Sequence, residues 1–160
     1  MNIRMIRESD YPQVISVIND WWDGRPMADM LPKLFFVHFA DTSFIVEQED
    51  TMIGFLIGFI SQSRPNEAYI HFVGVHPDHR KAGIAAQLYD QFFETIRSKH
   101  CDTIRCITSP INKTSIAFHQ RMGFAMEEGT STINGIPVVH NYDGKGNDRV
   151  LFVKRLGNSS

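Results

Sequence analysis

The stretch Tyr69 to Ala86, YIHFVGVHPDHRKAGIAA, changes its periodicity once, and that change constrains the whole chain. Tyr69 to Val75 is rich in β-branched and aromatic residues and reads as a strand. His76-Pro77-Asp78 is turn chemistry, since proline fixes φ and aspartate bonds its own backbone nearby. From Ile84 the repeat is helical, with Ile84, Leu88, Phe92 and Ile96 spaced by four and flanked by Ala85, Tyr89 and Phe93. Between turn and helix stand Arg80, Lys81, Ala82, Gly83, Ile84 and Ala85. A helix start exposes unpaired N–H groups and the positive end of the helix dipole. The small residues Ala82, Gly83 and Ala85 would admit a bulky anion to that backbone, and Arg80 and Lys81 add charge. A diphosphate fits such a place. An ordinary basic helix start fits it too, and spacing by itself does not choose between them.

The rest of the chain arranges itself around this unit. Asn2 to Arg7 reads as a first strand, and Ser9 or Asp10 can cap a helix with Pro12 near its first turn. Val14, Ile15 and Ile18 would form its inner face. Trp21-Trp22 then interrupts the periodicity beside Gly24 and Pro26; the pair fits a cover for the core edge or one wall of a pocket. Leu31 to Phe39 reads as a second helix. Phe44 to Gln48 and Thr51 to Ser61 read as a hairpin turning at Glu49-Asp50. The second of these is almost continuously apolar, as a strand buried on both faces is, and Gly54 and Gly58 would permit close packing. Thr103 to Thr108 is a fifth strand. A helix capped by Asn112 or Thr114 runs to Met122, where Gly123 is placed as a left-handed stop. Phe124 to Glu127 begins a sixth strand, Asn134-Gly135 can close a small hairpin within an otherwise irregular 129–147, and Arg149 to Arg155 is the last strand.

This order predicts a single α/β domain of the α+β type over residues 1–156, with a mixed, mostly antiparallel sheet and helices on both faces. Gly157 to Ser160 are expected to fray. A chain of 160 residues is long enough to bury a real core, and it shows no internal repeat.

Two segments carry a family resemblance. Val75-His76-Pro77 followed by Arg80-x-x-Gly83-x-Ala85 resembles the strand end and pyrophosphate loop of the GNAT superfamily of acetyl-CoA-dependent N-acetyltransferases. Asn112-Lys113-Thr114-Ser115-Ile116-Ala117-Phe118-His119, ending in Gly123-Phe124, resembles that family's helix Asn-x-x-Ala-x-x-Phe-Tyr-x-x-x-Gly-Phe. The two stand in the right order, and together they are far more specific than either alone.

The resemblance implies a GNAT-like fold whose fourth and fifth strands splay, with acetyl-CoA as co-substrate and no metal. It places the cofactor against Val73, Val75, Arg80, Lys81, Ala82, Gly83, Ile84, Ala85, Asn112 and Ser115, and a bulge at Gly74 would free Val73 and Val75 for the pantetheine amides. The implied reaction moves an acetyl group onto a primary amine, through a tetrahedral intermediate whose oxyanion meets a backbone N–H near Val75. An amine with a pKa of about 10.4 must first lose a proton, so a base is needed. Some members carry a histidine at the place of His71, which makes it the candidate base; a histidine simply packed on a strand fits the sequence as well. Glu67 and His140 are weaker candidates. His119 stands where the family has a tyrosine that protonates the leaving thiolate, so His119 is the candidate acid, or a silent replacement. Trp21, Trp22 and Tyr142 are candidates for the acceptor pocket, with 129–147 as a cover that also brings Asp143.

Other classes find less support. Sixteen basic and eighteen acidic residues, with no basic run, give no footprint for nucleic acid. The start Met1-Asn2-Ile3-Arg4 lacks an apolar signal core and no apolar run reaches a membrane span, so a cytoplasmic protein is expected. Cys101 and Cys106 are too few for a disulfide framework. His71, His76, His79 and His140 match no common zinc spacing. The expected partner is a small-molecule or peptide amine; a homodimer stays open. So do a non-catalytic acyl-CoA-binding regulatory module and transfer of a longer acyl group.

Overall fold

The computed structural model describes residues 1–157, and the expectation of a frayed tail falls, beyond Gly157, outside the described residues. The strands are β1 (Asn2–Met5), β2 (Phe44–Gln48), β3 (Thr51–Ile60), β4 (Glu67–Val75), β5 (Thr103–Thr108), β6 (Ala125–Met126), β7 (Ser131–Ile133), β8 (Ile136–Val138) and β9 (Val150–Arg155). The α-helices are α1 (Tyr11–Trp21), α2 (Leu34–His38), α3 (Ile84–Ser98) and α4 (Lys113–Arg121). Seven strands form one sheet in the order β1-β2-β3-β4-β5-β9-β6, and β7 pairs with β8 apart from it. Every pairing is antiparallel except that of β4 with β5.

β3 sits inside this sheet and is buried from Met52 to Gly58, as its unbroken apolar run predicts. One face packs α3 and α4 over Leu56, Ile70, Leu88, Phe92 and Phe152; the other packs α1 and its following segment over Val14, Ile18, Phe36, Phe55 and Phe72. Gly58 makes room for α3, because a Cβ there would run into the Phe92 ring. The β2–β3 turn takes Glu49 and Asp50 at φ 51° and 65°, and the β7–β8 turn takes Asn134 and Gly135 at φ 50° and 81°. Two successive positive φ values match the right-handed twist of the flanking strands.

Two expectations shift. The second helix is only Leu34–His38; Leu31 to Lys33 and Phe39, the rest of the expected Leu31–Phe39, are turn, bend or irregular backbone, and 3-10 turns at Ala28–Met30 and Ala40–Thr42 flank the segment. The chain enters this helix through a tight turn, Phe35 N–H bonding Pro32 O at 3.2 Å and Phe36 N–H bonding Lys33 O at 2.9 Å, both three residues back. The bulge of β4 is at His71, not at Gly74: Ile57 pairs with Phe72 and Gly58 with Ile70, while Gly74 pairs regularly with Phe55. The extra residue turns His71 and Phe72 to the same face, the one that α1 and α2 cover.

Candidate active site

β4 and β5 pair only from Glu67–Tyr69 against Thr103–Arg105, and beyond Tyr69 they diverge. His76 N–H donates to Ile53 O at 2.8 Å, continuing the β3–β4 ladder. Paired residues in such a ladder alternate between bonded and unbonded. Phe72 and Gly74 therefore use their backbone groups on β3, whereas Val73 and Val75 aim theirs into the gap. At its mouth, Asn112 caps α4 by accepting Ser115 N–H at 3.1 Å.

The loop after β4 has Lys81 at φ 77° and Gly83 at φ 76°. Gln87 is the first residue of α3 to bond back, to Gly83 O at 3.1 Å, which leaves the N–H groups of Ile84, Ala85 and Ala86 pointing outward. Nothing lies within 4 Å of where a Cβ on Gly83 would stand, so the backbone can be approached closely. Arg80 is used differently from the sequence expectation. Its guanidinium turns back, Nε donating to Val75 O at 3.3 Å and Nη2 to Trp21 O, so it ties the loop to β4 and to the end of α1.

At the bulge, His71 Nε2 lies 2.6 Å from Met30 O, and its ring stacks on Phe35 at 4.4 Å and 5°. A carbonyl can only accept, so Nε2 is the donating nitrogen, and in the neutral ring Nδ1 is the one with the lone pair. His119 is the opposite case. It is buried between α3, α4 and β9, stacked on Phe152 at 4.8 Å. Its Nδ1 donates to Ser115 O at 2.8 Å, which leaves Nε2 to accept from Tyr89 O–H at 2.8 Å. Both nitrogens are thereby engaged inside the protein, and burial pushes the imidazole's pKa below its ordinary 6.5 against a smaller opposing pull from the Ser115 carbonyl.

Residues 4–124 match the sequence model of the Acetyltransferase (GNAT) family. The chain belongs to the GNAT acetyltransferase family. It is 27% identical over 134 residues to an acetyltransferase of Sodalis glossinidius, covering 80% of this chain and 89% of that one. Its fold is similar to that of the ribosomal-protein-S18-alanine N-acetyltransferase of Escherichia coli, with TM-score 0.70, 18% identity, and 99% and 96% of the two chains covered. It is also similar to the diaminobutyrate acetyltransferase of Paenibacillus lautus in complex with L-2,4-diaminobutyric acid and coenzyme A, with TM-score 0.72, 20% identity, and 99% and 97% covered.

GNAT enzymes use acetyl-CoA, and this chain's residues fit it: the outward N–H groups at the α3 start suit a diphosphate, and the Val73 and Val75 edge suits an amide-bearing arm. Around the gap, the structure sorts the remaining candidates. Trp21 is core, 5% exposed and stacked on Phe55 at 5.9 Å, whereas Trp22 stays partly exposed against Phe72. Burial pushes the Tyr69 hydroxyl's pKa far up. The 139–148 loop is closed at its base by the Val139–Arg149 bridge just ahead of β9. That loop is tied within itself, Asn141 N–H to Asp148 and Gly146 N–H to Asn141 Oδ1, both at 2.8 Å. Glu67 is held by Arg105 at 3.1 Å, and the exposed His140 by Asp148 at 3.0 Å. His76 and His79 touch on the turn, and among the described residues no three metal-ligand side chains gather.

Sequence reasoning passed over Phe35, Tyr69 and Tyr89, the first two beside His71 and the third bonded to His119. Their signal was present: Tyr69 and His71 alternate on one strand, and Tyr89 flanks the apolar row of α3.

The burial of His119 has a measurable consequence. Below about pH 6.5 the unfolded chain takes up a proton at this position that the folded chain resists. Its contribution to stability is therefore complete above that pH and is lost as pH falls. His119→Phe should flatten this part of the stability–pH curve relative to the wild type. At neutral pH it should cost about 1–3 kcal/mol by leaving the Tyr89 hydroxyl unpaired, part of it recovered in His119→Phe/Tyr89→Phe. Urea unfolding at several pH values reads both; an unchanged pH slope would mean that the imidazole titrates freely.

Proposed function

We propose that this protein is an N-acetyltransferase that moves the acetyl group of acetyl-CoA onto a primary amine by direct attack, with His71 as base. The observation that carries the reading is His71 itself: it sits on the bulge beside the strand gap, its tautomer fixed by Met30 O, with Nδ1 available. Acetyl-CoA supplies an acyl group activated as a thioester. The Val73 and Val75 edge guides the pantetheine arm toward Tyr69, where β4 and β5 meet, and so brings the thioester end near His71. His71 Nδ1 takes a proton from the ammonium, directly or through water. The freed amine forms the C–N bond, its nitrogen gives up a second proton to solvent, the C–S bond breaks, and the thiolate leaves to be protonated. The Val73 N–H, nearer to His71 than that of Val75, is placed to meet the oxyanion.

His119 fits a positioning role between α3 and α4 better than that of acid, since neither nitrogen is free and the ring is held neutral. The leaving thiolate then takes its proton from water. That same feature favours a second reading, a module that binds acyl-CoA without turnover. Measuring free thiol released from acetyl-CoA against a broad panel of amines separates them. Release that depends on the amine is expected. Stabilisation by CoA without release on any amine would leave the binding module.

A further inference from the structure

We infer that the acceptor is a small primary amine carried on an apolar, preferably aryl, body, not a polyamine, a sugar amine or a peptide end. This rests on the acetyltransferase reading and deepens it. On the face to which the bulge turns His71, rings follow one another without a break. Phe35 stacks on His71 at 4.4 Å, Phe39 packs on Phe35 at 5.5 Å, Phe59 on Phe39 at 5.0 Å, and Tyr69 on Phe59 at 5.4 Å. Tyr69 and His71, two apart on β4, bring the run back to its start. All five rings are neither buried nor fully exposed, so they form a floor open to solvent. Met30, whose carbonyl accepts from His71, is an apolar side chain close to half exposed beside them.

A soluble protein has reason to leave such a surface uncovered next to its reacting groups when a ligand covers it. The electrostatics narrow the ligand further. Polyamines and aminoglycosides bring several cations that need several carboxylates in return, and burying a cation unpaired is costly. Glu67, two residues before Tyr69 on β4, is already held by Arg105 at 3.1 Å, and Asp143 lies 3.8 Å from Arg149 Nε. A peptide end would bring amide groups onto a floor whose ring faces offer little beyond the Tyr69 hydroxyl to bond them. An arylalkylamine needs neither: its ring lies on Phe59 and Tyr69, and its single amine reaches toward His71 Nδ1.

The test is steady-state kinetics with acetyl-CoA and 2-phenylethylamine, n-hexylamine, spermidine, kanamycin, L-2,4-diaminobutyrate and an alanine-initial tetrapeptide. A single methylene in an apolar pocket is worth roughly 10–200-fold in kcat/KM, so 2-phenylethylamine should lead each polar acceptor by at least about tenfold. Phe59→Leu keeps the apolar volume and removes a ring at a distance from His71. It should lower the ratio of kcat/KM for 2-phenylethylamine over n-hexylamine by roughly 2–10-fold. Tyr142→Ser, on an exposed loop where folding is not at stake, should raise KM for 2-phenylethylamine and leave that for acetyl-CoA unchanged. Equal or better turnover of spermidine, kanamycin, diaminobutyrate or the peptide overturns the inference and leaves the acetyltransferase reading standing. So does an unchanged aryl preference in both variants. Stabilisation by acetyl-CoA with no turnover of any amine removes the acetyltransferase reading, and this inference with it.

Discussion

His71→Ala is expected to lower kcat/KM by roughly 10²–10⁴-fold, the range for a positioned base, with KM for acetyl-CoA unchanged. The expectation follows from what the ring does in the folded chain. Met30 O at 2.6 Å fixes the proton on Nε2, and the parallel Phe35 ring holds the imidazole plane. The remaining nitrogen is thus oriented before any substrate arrives, and the acidic limb of the pH–rate profile should disappear with it. Alanine also removes the tie to Met30, so a second variant is needed. His71→Gln can still donate to Met30 O from Nε2 but has no basic nitrogen. If the base is what matters, glutamine loses as much rate as alanine. A glutamine variant near wild-type rate would show that His71 only holds the Met30 segment, and catalysis would have to find its base elsewhere.

Much of this arrangement was legible in the sequence because it depends on local rules. The strand–turn–helix of Tyr69 to Ala86, the Asn112 cap and the turns at Glu49-Asp50 and Asn134-Gly135 need only neighbours a few residues away. The paired motifs then fix the family, because each names a backbone geometry: an open helix start and a capped helix facing it. What was not legible is relational. The bulge at His71 exists only in the register of β4 against β3, where one strand has a residue that its partner lacks. Gly74 drew attention as a candidate because glycines mark bulges, but here it makes room for Phe55 and Trp22. Trp21 and Trp22 are adjacent and chemically alike, yet the helical turn at the end of α1 sends one inward and leaves the other partly out. His119 falls in register with the family tyrosine, and nothing local says that a Tyr89 hydroxyl from another helix will bond its second nitrogen. Arg80 reads as a phosphate ligand until the fold brings two backbone carbonyls within its reach.

Gly83→Glu is expected to abolish the stabilisation that acetyl-CoA gives. Ligand at about a hundred times its dissociation constant adds roughly 2.7 kcal/mol, which for a domain of this size is a rise in melting temperature of about 5–10 °C. Gly83 precedes the outward N–H groups of α3, and the space its missing Cβ would fill is open to at least 4 Å. Glutamate there places a carboxylate where phosphate oxygens would bond, so like charges and blocked N–H groups act together. The left-handed φ of 76° adds a complication, since any side chain is somewhat strained at that angle. Gly83→Asn separates the two effects, because asparagine tolerates the left-handed region and brings no charge. The asparagine variant should keep most of the shift and the glutamate variant none, each read against its own ligand-free melting temperature, which for glutamate should fall by a few degrees from the backbone strain. NADH, which has the diphosphate but no pantetheine arm for the Val73 and Val75 edge, should stabilise little. Loss of the shift in both variants would point to backbone conformation instead of charge. Full retention in the glutamate variant would mean that the diphosphate lies elsewhere, and the loop would revert to a plain helix start.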